Sequence, residues 1–182
     1  MNRMDRVRRS LSGLVLVAVV TGCSTAATAS PTPNTTSAPT TVPNTAAPVA
    51  SPAFELYDPA ADARADIAAA LALANADGKR VLLDFGADWC PDCHVLAAYL
   101  DGEAGRKLVD DSFHVVSIDV GYWDHNLDVA GSYGSPITQG IPAVVVLKPD
   151  GTVVGSTADG SLANARAMTE GDVLTKLTAW AD

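Results

Sequence analysis

The spacing of apolar residues from position 56 onward predicts an alternation of helices and strands. Short runs rich in Val, Leu, Ile and Phe are typical of buried strands, whereas apolar residues repeated about every three to four positions are typical of helices. Strands are predicted at residues 80–85, 113–120, 142–147 and 152–156. Helices are predicted at residues 60–76, 91–100 and 169–180. The predicted order is therefore α-β-α-β-loop-β-β-α.

Capping residues mark the ends of the first and last helices. Asp58 is predicted as the N-cap of the first helix, with Pro59 in its first turn, and Gly78 follows its end. Thr169 and Asp172 have the spacing of a capping box, which predicts the start of the last helix.

Two regions between the elements are predicted to be irregular. Gly102 and Gly105 are expected to break the second helix, with 106–109 adding at most a turn or two. Residues 121–140 are rich in Gly, Ser, Tyr and Asp and are long for a loop in a compact domain. This length indicates either a functional loop or a short helix.

The connections between strands predict the sheet. The first two strands are joined through a helix and should run parallel. The last two are joined by the turn sequence Pro149-Asp150-Gly151 and should form an antiparallel hairpin. The fold class is therefore α/β, with a mixed central β-sheet flanked by helices on both faces.

The first 22 residues have the pattern of a signal peptide. Four arginines among the first nine residues precede an apolar run at 11–20, which is too short to span a bilayer as a stable helix. The run ends in Val-Thr-Gly-Cys at 20–23, which resembles a bacterial lipobox. That resemblance implies cleavage before Cys23 and lipidation of its thiol. The alternative is an ordinary signal peptide followed by an unrelated cysteine.

Residues 23–52 consist almost entirely of Ser, Thr, Ala, Pro and Asn and hold no charged side chain. This composition cannot bury enough apolar surface to offset the entropy of ordering, which predicts a disordered tether. Residues 53–182 have the length of one domain. The sequence thus predicts an exported protein anchored by lipid to the outer face of the bacterial cytoplasmic membrane.

Charge argues against one class of partner. The first 22 residues hold four Arg and one Asp, so their removal changes the formal net charge from −9 to −12. No basic patch remains for binding nucleic acid. We expect a monomer.

The motif with the clearest chemistry is Trp-Cys-Pro-Asp-Cys at 89–93, which directly follows an apolar run. Pro91 at the first helical position places Cys90 at a helix N-terminus, where free N–H groups and the helix dipole favour a thiolate. Cys93 follows one turn later. If Cys23 carries lipid, only Cys90 and Cys93 can pair within the chain. A functional pair is then favoured over a structural disulfide.

Several features of residues 56–182 together resemble the thioredoxin superfamily. Residues 83–93 (Leu-Asp-Phe-Gly-Ala-Asp-Trp-Cys-Pro-Asp-Cys) are similar to its strand, active-site loop and helix start, and Gly-Ile-Pro at 140–142 is similar to its cis-proline loop. The Pro-Asp-Gly turn and the amphipathic last helix complete the resemblance. The chain is most similar to exported thioredoxin-like domains, including the C-terminal domain of the transmembrane disulfide reductase.

The resemblance implies a thioredoxin fold and a thiol:disulfide oxidoreductase whose redox-active group is a Cys90–Cys93 disulfide, with no bound cofactor or metal. Its partners would be protein thiols and disulfides, together with a membrane redox protein that donates or accepts electrons. Cys90 would attack and Cys93 would resolve the mixed disulfide.

Asp84 matches the family's buried carboxylate, which would help to move the proton of the resolving cysteine. A lysine that often accompanies this acid in the family would fall near Val115, where none is present. His114 or water could replace it. The alternative is that Asp84 points outward at a strand edge.

Substrate-binding residues are also implied by the resemblance. Trp89 would form the rim of the site. Ile141, before a cis-Pro142, would offer backbone groups to an extended substrate. The loop residues Tyr122, Trp123 and His125 either contact substrate or belong to a solvated surface loop.

Asp92 should influence the direction of electron flow. Its negative charge should repel a Cys90 thiolate and so oppose the effect of the helix N-terminus. A destabilised thiolate favours the disulfide, which predicts a moderately reducing couple. A reduction potential more positive than about −150 mV would contradict this, because strong oxidants lie near −120 mV.

Two other chemistries remain open at the motif. Cys90 to His94 also spells CxxCH, the pattern of covalent c-type haem attachment, with Met168 or His125 as a conceivable distal ligand. The preceding strand and the Gly-Ile-Pro loop argue against haem. Cys90, Cys93 and His94 also offer soft ligands for copper, although no second CxxC completes a zinc site. The second hypothesis is therefore a non-catalytic thioredoxin fold or a copper metallochaperone lipoprotein.

Overall fold

The computed structural model of this chain describes residues 55–181. The predicted signal peptide, the lipidation site at Cys23 and the predicted tether fall outside the described residues. None of the helices between residues 55 and 181 combines the length and the apolar character that crossing a bilayer requires.

The described residues form helices and strands in the predicted order, with additional short helices. The helices are α1 (Ala63–Asp77), α2 (Pro91–Asp101), α3 (Glu103–Ser112), α4 (Leu127–Ser132) and α5 (Glu170–Thr178). The strands are β1 (Arg80–Gly86), β2 (Phe113–Asp119), β3 (Ala143–Leu147) and β4 (Val153–Ser156). Short 3₁₀ helices lie at Pro136–Gln139 and Ala165–Ala167.

The four strands form one mixed sheet in the order β2-β1-β3-β4. β1 runs parallel to β2, with Asp84 opposite Ser117, and antiparallel to β3. β3 and β4 form the predicted antiparallel hairpin. β1 is therefore central, which explains why its residues are buried from Val81 to Gly86.

Helices cover both faces of the sheet, as the α/β prediction requires. On one face, buried residues of α1 such as Ile67 and Ala74 join a core that includes Leu83 and Phe85. On the other face, Leu82 packs in a second core to which α2 and α5 contribute Leu96, Val173 and Leu177. The alternation of side chains along β1 supplies both cores from one strand.

The predicted start of the first helix is wrong. α1 begins at Ala63, and its N-cap is Asp62, whose carboxylate accepts the N–H groups of Arg64 and Ala65 at 3.1 Å each. Asp58 instead accepts the N–H of Ala60 at 2.8 Å within a preceding turn. The sequence signal was ambiguous because Asp followed by Pro suits a turn as well as a helix start.

Gly105 does not break a helix, contrary to the prediction. It lies inside α3, where a Cβ atom would overlap the carbonyl oxygen of Tyr99 and lie 2.8 Å from Cα of Leu100. The glycine therefore permits α3 to pass close to the end of α2. Gly102 alone separates the two helices.

The long loop contains the short helix that its length suggested. α4 and the 3₁₀ helix at Pro136–Gln139 lie within residues 121–140. Asn126 holds the start of this region against the sheet, since its side-chain amide donates to the carbonyl oxygen of Asp119 at 2.8 Å. The region is thereby attached to the end of β2.

Alanine at two helical glycines tests the role assigned to Gly105. Gly105→Ala should lower the free energy of unfolding by about 1–3 kcal/mol, because the added methyl group collides with backbone atoms of α2. Gly131→Ala is the matched control in α4, since a Cβ atom there has no described atom within 4 Å. It should be neutral or stabilising by up to about 1 kcal/mol. Urea unfolding measures both, and equal midpoints would contradict the assignment.

Candidate active site

Cys90 and Cys93 lie at the start of α2, where the sequence placed them. Cys90 is the N-cap, with extended backbone, and its Sγ accepts the N–H of Cys93 at 3.2 Å. Pro91 occupies the first turn, where a backbone donor is not needed. A disulfide joins the two cysteines, whose Cα atoms are 5.3 Å apart. Cys90 is 3% exposed and Cys93 is 0% exposed, so Cys90 is the more accessible sulfur.

The cis-proline loop lies beside this disulfide. The Ile141–Pro142 peptide is cis, as the resemblance implied. The carbonyl oxygen of Ile141 lies 3.6 Å from Sγ of Cys90, although the two residues are 51 positions apart. Gly140 precedes the loop with φ of 119°, a conformation that favours glycine. The fold therefore brings Cys90, Ile141 and Pro142 together.

Asp84 is buried beneath α2 and not at a strand edge. It is 2% exposed, and its Oδ2 accepts the hydroxyl of Tyr57 at 2.8 Å. Its Oδ1 has no hydrogen-bond partner within residues 55–181. Burial raises the pKa of Asp84 to about 7, and the hydrogen bond from Tyr57 opposes this rise. A carboxyl group with this pKa can exchange protons near neutral pH.

A pocket lies next to Val115, the position at which the family often has a lysine. Asp84, Val115 and Ser117 line a pocket of about 380 Å³ between the sheet and α2 and α3. His114 does not replace the lysine, because its Nε2 lies 3.0 Å from Oδ2 of Asp77 at the end of α1. Of the two expected substitutes, His114 is therefore engaged elsewhere.

Asp92 is paired, which the sequence did not indicate. Its carboxylate accepts the backbone N–H of Arg166 at 2.9 Å and the Nε–H of the same residue at 3.1 Å. The guanidinium offsets the negative charge, so repulsion of a Cys90 thiolate is weaker than the sequence alone suggests. Arg166 is 74 positions away, and no local pattern pointed to it.

Aromatic side chains form the rim next to the disulfide. Trp89 is 42% exposed, and its Nε1–H donates to the carbonyl oxygen of Gly121 at 2.8 Å. Its ring stacks on Tyr122, with centroids 5.8 Å apart, and meets Trp123 edge-on at 6.3 Å. The loop aromatics thus extend the rim that Trp89 begins.

His125 lies behind this rim. Its Nδ1 is 3.0 Å from Oδ2 of Asp119, which is mostly buried at the end of β2. With Trp89 and Tyr122, it lines a second pocket, of about 290 Å³. The structure therefore puts the predicted loop cluster next to Trp89.

The residues considered as metal ligands do not form a ligand cluster within the described part of the chain. No group of three or more His, Cys, Asp and Glu side chains that could hold a metal ion occurs within residues 55–181. The Nε2–H of His94 donates to the carbonyl oxygen of Asp88 at 2.6 Å, which occupies the ring nitrogen nearest the motif loop.

Asp88 is a site residue that the sequence analysis missed. Its Oδ1 accepts the N–H groups of Leu56 and Tyr57 at 2.9 and 3.1 Å, so the active-site loop holds the segment that precedes α1. The sequence shows the motif that contains Asp88, but the hydrogen-bond partners of Asp88 lie more than 30 positions away. Tyr57 was missed for the same reason.

Comparison with known proteins gives matches over the same region. A family model described as thioredoxin-like matches residues 62–149. Thioredoxin from Bacillus subtilis (strain 168) is 44% identical over 77 residues, which cover 41% of this chain and 62% of that protein. The chain thus spans less than two thirds of that relative's length. Thioredoxin 1 from Synechococcus elongatus is 36% identical over 88 residues, covering 46% of this chain and 74% of that protein.

One solved structure is similar over nearly its whole length. The crystal structure of a disulphide isomerase from Xylella fastidiosa Temecula1 is 44% identical, with a TM-score of 0.65. The match covers 68% of this chain and 96% of that one.

The raised pKa of Asp84 predicts how stability depends on pH. The folded pKa of about 7 lies above the usual value of 3.8, so the folded state holds the proton more tightly than the unfolded state. Stability that this proton supplies is present at low pH and is lost as pH rises toward 7. Asp84→Asn should therefore be more stable than the native chain at pH 8, by on the order of 4 kcal/mol at most.

This gain should shrink toward pH 4.5, and urea unfolding at both pH values measures it. Asp66→Asn is the matched control, because it removes a carboxylate from the exposed face of α1. An Asp84→Asn gain of equal size at both pH values would contradict the account.

Proposed function

This chain belongs to the thioredoxin superfamily, and we propose that it is an extracytoplasmic thiol:disulfide oxidoreductase that reduces disulfides in protein substrates. The observation that carries this proposal is the position of the Cys90–Cys93 pair. Cys90 caps α2 and lies 3.6 Å from the Ile141 carbonyl oxygen, beside cis-Pro142. Its sulfur is thus held between a helix N-terminus and a backbone segment able to bind an extended chain.

The first step is attack by Cys90. In the reduced protein its thiolate accepts the N–H of Cys93 and is stabilised by the start of α2. It attacks one sulfur of the substrate disulfide, so that an S–S bond to Cys90 forms and the substrate's own S–S bond breaks. The departing substrate sulfur leaves as a thiolate and takes up a proton.

The second step is resolution by Cys93. The Cys93 thiol loses its proton and attacks Sγ of Cys90, which releases the second substrate sulfur as a thiolate. Two electrons have then passed from the cysteine pair to the substrate, and the Cys90–Cys93 disulfide remains. Asp84 is the proposed acceptor of the Cys93 proton, since burial brings the pKa of its carboxyl group to about 7.

The substrate would lie between the two sides of the site. We place its extended backbone against Ile141, whose carbonyl group borders Cys90. The exposed rings of Trp89 and Tyr122, which stack on each other next to Cys90, would offer apolar contact to residues that flank the substrate cysteine.

The location of the protein is proposed from its sequence, and a source of electrons is proposed from that location. The lipobox-like Cys23 supports attachment to the outer face of the bacterial cytoplasmic membrane. There, a membrane thiol reductant would regenerate the reduced cysteine pair after each cycle.

A second candidate is disulfide isomerisation, which the similar Xylella fastidiosa protein favours by its description. In that reaction a second substrate thiolate, rather than Cys93, attacks the substrate sulfur of the mixed disulfide, and Cys90 leaves as a thiolate. The substrate then leaves with a rearranged disulfide, and there is no net transfer of electrons.

Single cysteine variants separate these activities. Insulin-disulfide reduction should be lost in Cys90→Ser and fall at least a hundredfold in Cys93→Ser, because the mixed disulfide is not resolved. The matched control is Cys23→Ser, which removes the third cysteine and should leave the reduction rate unchanged. Retained activity in Cys90→Ser would contradict the proposal. Rearrangement of scrambled ribonuclease by Cys93→Ser would instead support isomerisation.

Lipid attachment is tested in cells. A bacterial host that expresses the native chain should incorporate an alkyne-tagged fatty acid into it and retain it in the membrane fraction. Cys23→Ser should lose the label and appear in the extracytoplasmic soluble fraction. A native chain that carries no label, or a Cys23→Ser chain that keeps it, would overturn the proposed anchor.

A further inference from the structure

We propose that Tyr57 is a positioning residue for the proton transfer: its hydroxyl holds one oxygen of Asp84, so that the other oxygen is left to exchange the proton at a pocket that Asp84 and α2 line. This inference rests on the proposed function and adds to it a residue of the segment before α1. It also accounts for the absence of a lysine at Val115.

The hydrogen bond distinguishes the two oxygens of Asp84. Tyr57 is 1% exposed, and its hydroxyl donates to Oδ2 at 2.8 Å. Burial and the neighbouring Asp84 raise the pKa of Tyr57, so the hydroxyl remains a donor. Oδ1 is left as the oxygen that can gain or lose the proton, and it has no partner within residues 55–181.

Gly86 leaves room for the ring of Tyr57 because it has no side chain. A Cβ atom on Gly86 would overlap the Tyr57 ring. Gly86 lies in β1, and it is not among the glycines with positive φ, so backbone conformation does not require glycine there. Close approach of the aromatic ring does.

The backbone of the same segment is also held. Asp88 accepts the N–H groups of both Leu56 and Tyr57, and Asp88 lies two positions before Cys90. Tyr57 is therefore attached at its backbone to the active-site loop and at its hydroxyl to β1. This attachment fixes the direction from which the hydroxyl reaches Asp84.

The pocket connects Asp84 with α2. It has a volume of about 380 Å³ and is lined by Asp84, by Ser117 opposite it on β2, and by Ala97 of α2. Cys93 lies four positions before Ala97 and hence on the same helix face. The pocket has room for several waters, which would carry the Cys93 proton to Oδ1 and from there to solvent.

Few other charged groups face Asp84. Tyr57 is the titratable residue that contacts Asp84 directly, and Asp88 is the charged residue next to Tyr57. At the pocket, the charged lining residues are Asp101, Arg106 and Asp110. Arg106 is turned to Asp101, since its Nη2 donates to the Asp101 carbonyl oxygen at 3.1 Å and lies 3.7 Å from its carboxylate. The hydroxyl of Tyr57 is thus the donor that reaches Asp84 directly.

Tyr57→Phe tests the inference, because it keeps the ring and removes the hydroxyl. Loss of the hydrogen bond should raise the pKa of Asp84, since that bond favours the carboxylate. The inflection near pH 7 in the rate of insulin reduction should move upward by about one pH unit, which means a roughly tenfold lower rate at pH 6. The rates should converge above pH 9. Carbon-13 NMR titration of the Asp84 carboxyl group should show the same shift.

Two controls isolate the route. Tyr99→Phe removes the hydroxyl of a partly buried tyrosine of α2, which donates to the Met168 carbonyl oxygen at 2.9 Å, and should leave the pH profile unchanged. Asp84→Asn should remove the inflection, and the double variant Tyr57→Phe/Asp84→Asn should match Asp84→Asn alone. If Tyr57→Phe does not fold, Gly86→Ala is measured instead, since its methyl group displaces the ring, and the same upward shift is expected.

The outcomes separate this inference from the proposed function. An unchanged profile and titration in Tyr57→Phe, with an active native chain, would overturn the role of Tyr57 only. An additional loss in the double variant would overturn it as well, because Tyr57 would then act through another group. An inactive native chain would defeat the proposed function, and the Asp84 titration would still decide the coupling to Tyr57.

Discussion

The site depends on the N–H groups at the start of α2, which have no acceptor within the helix. The first N–H groups of a helix lack intrahelical acceptors, so the N-cap must supply one. Here the sulfur of Cys90 does so, and the same interaction that caps the helix would stabilise a thiolate. The cap is placed by β1, an inner strand with partners on both sides, and Ile141, two positions before the start of β3, lies beside it. Sγ of Cys90 therefore caps the helix and is also the atom that would react.

Much of the fold could be predicted because its signals are local. The strands, the hairpin turn and the capping box at Thr169 are read from neighbouring residues, and the structure has all of them. The errors occur where two local explanations compete. Asp58 and Asp62 both suit a cap, and Gly105 suits a helix break as well as a close helix contact. Only the packing of α2 against α3 decides the second case.

The residues of the site also differ in whether local sequence patterns identify them. The family resemblance identifies the motifs that contain Cys90, Cys93, Asp84, Ile141 and Pro142. The fold brings Cys90 to the cis-proline loop. The supporting residues Tyr57, Asp88 and Arg166 make contacts across 27 to 74 positions, for which the sequence holds no local pattern. These contacts alter the chemistry: Arg166 offsets the charge of Asp92, and Tyr57 opposes the effect of burial on Asp84.

The reduction potential of the Cys90–Cys93 pair, measured by equilibration with glutathione buffers, tests the central claim most directly. The helix N-terminus and the Asp92–Arg166 pair both act on the thiolate, and the potential reports their sum. A reducing exchange protein requires a value more negative than about −150 mV, on the side of thioredoxin at about −270 mV. A value near −120 mV, that of a strong oxidant, would contradict the account.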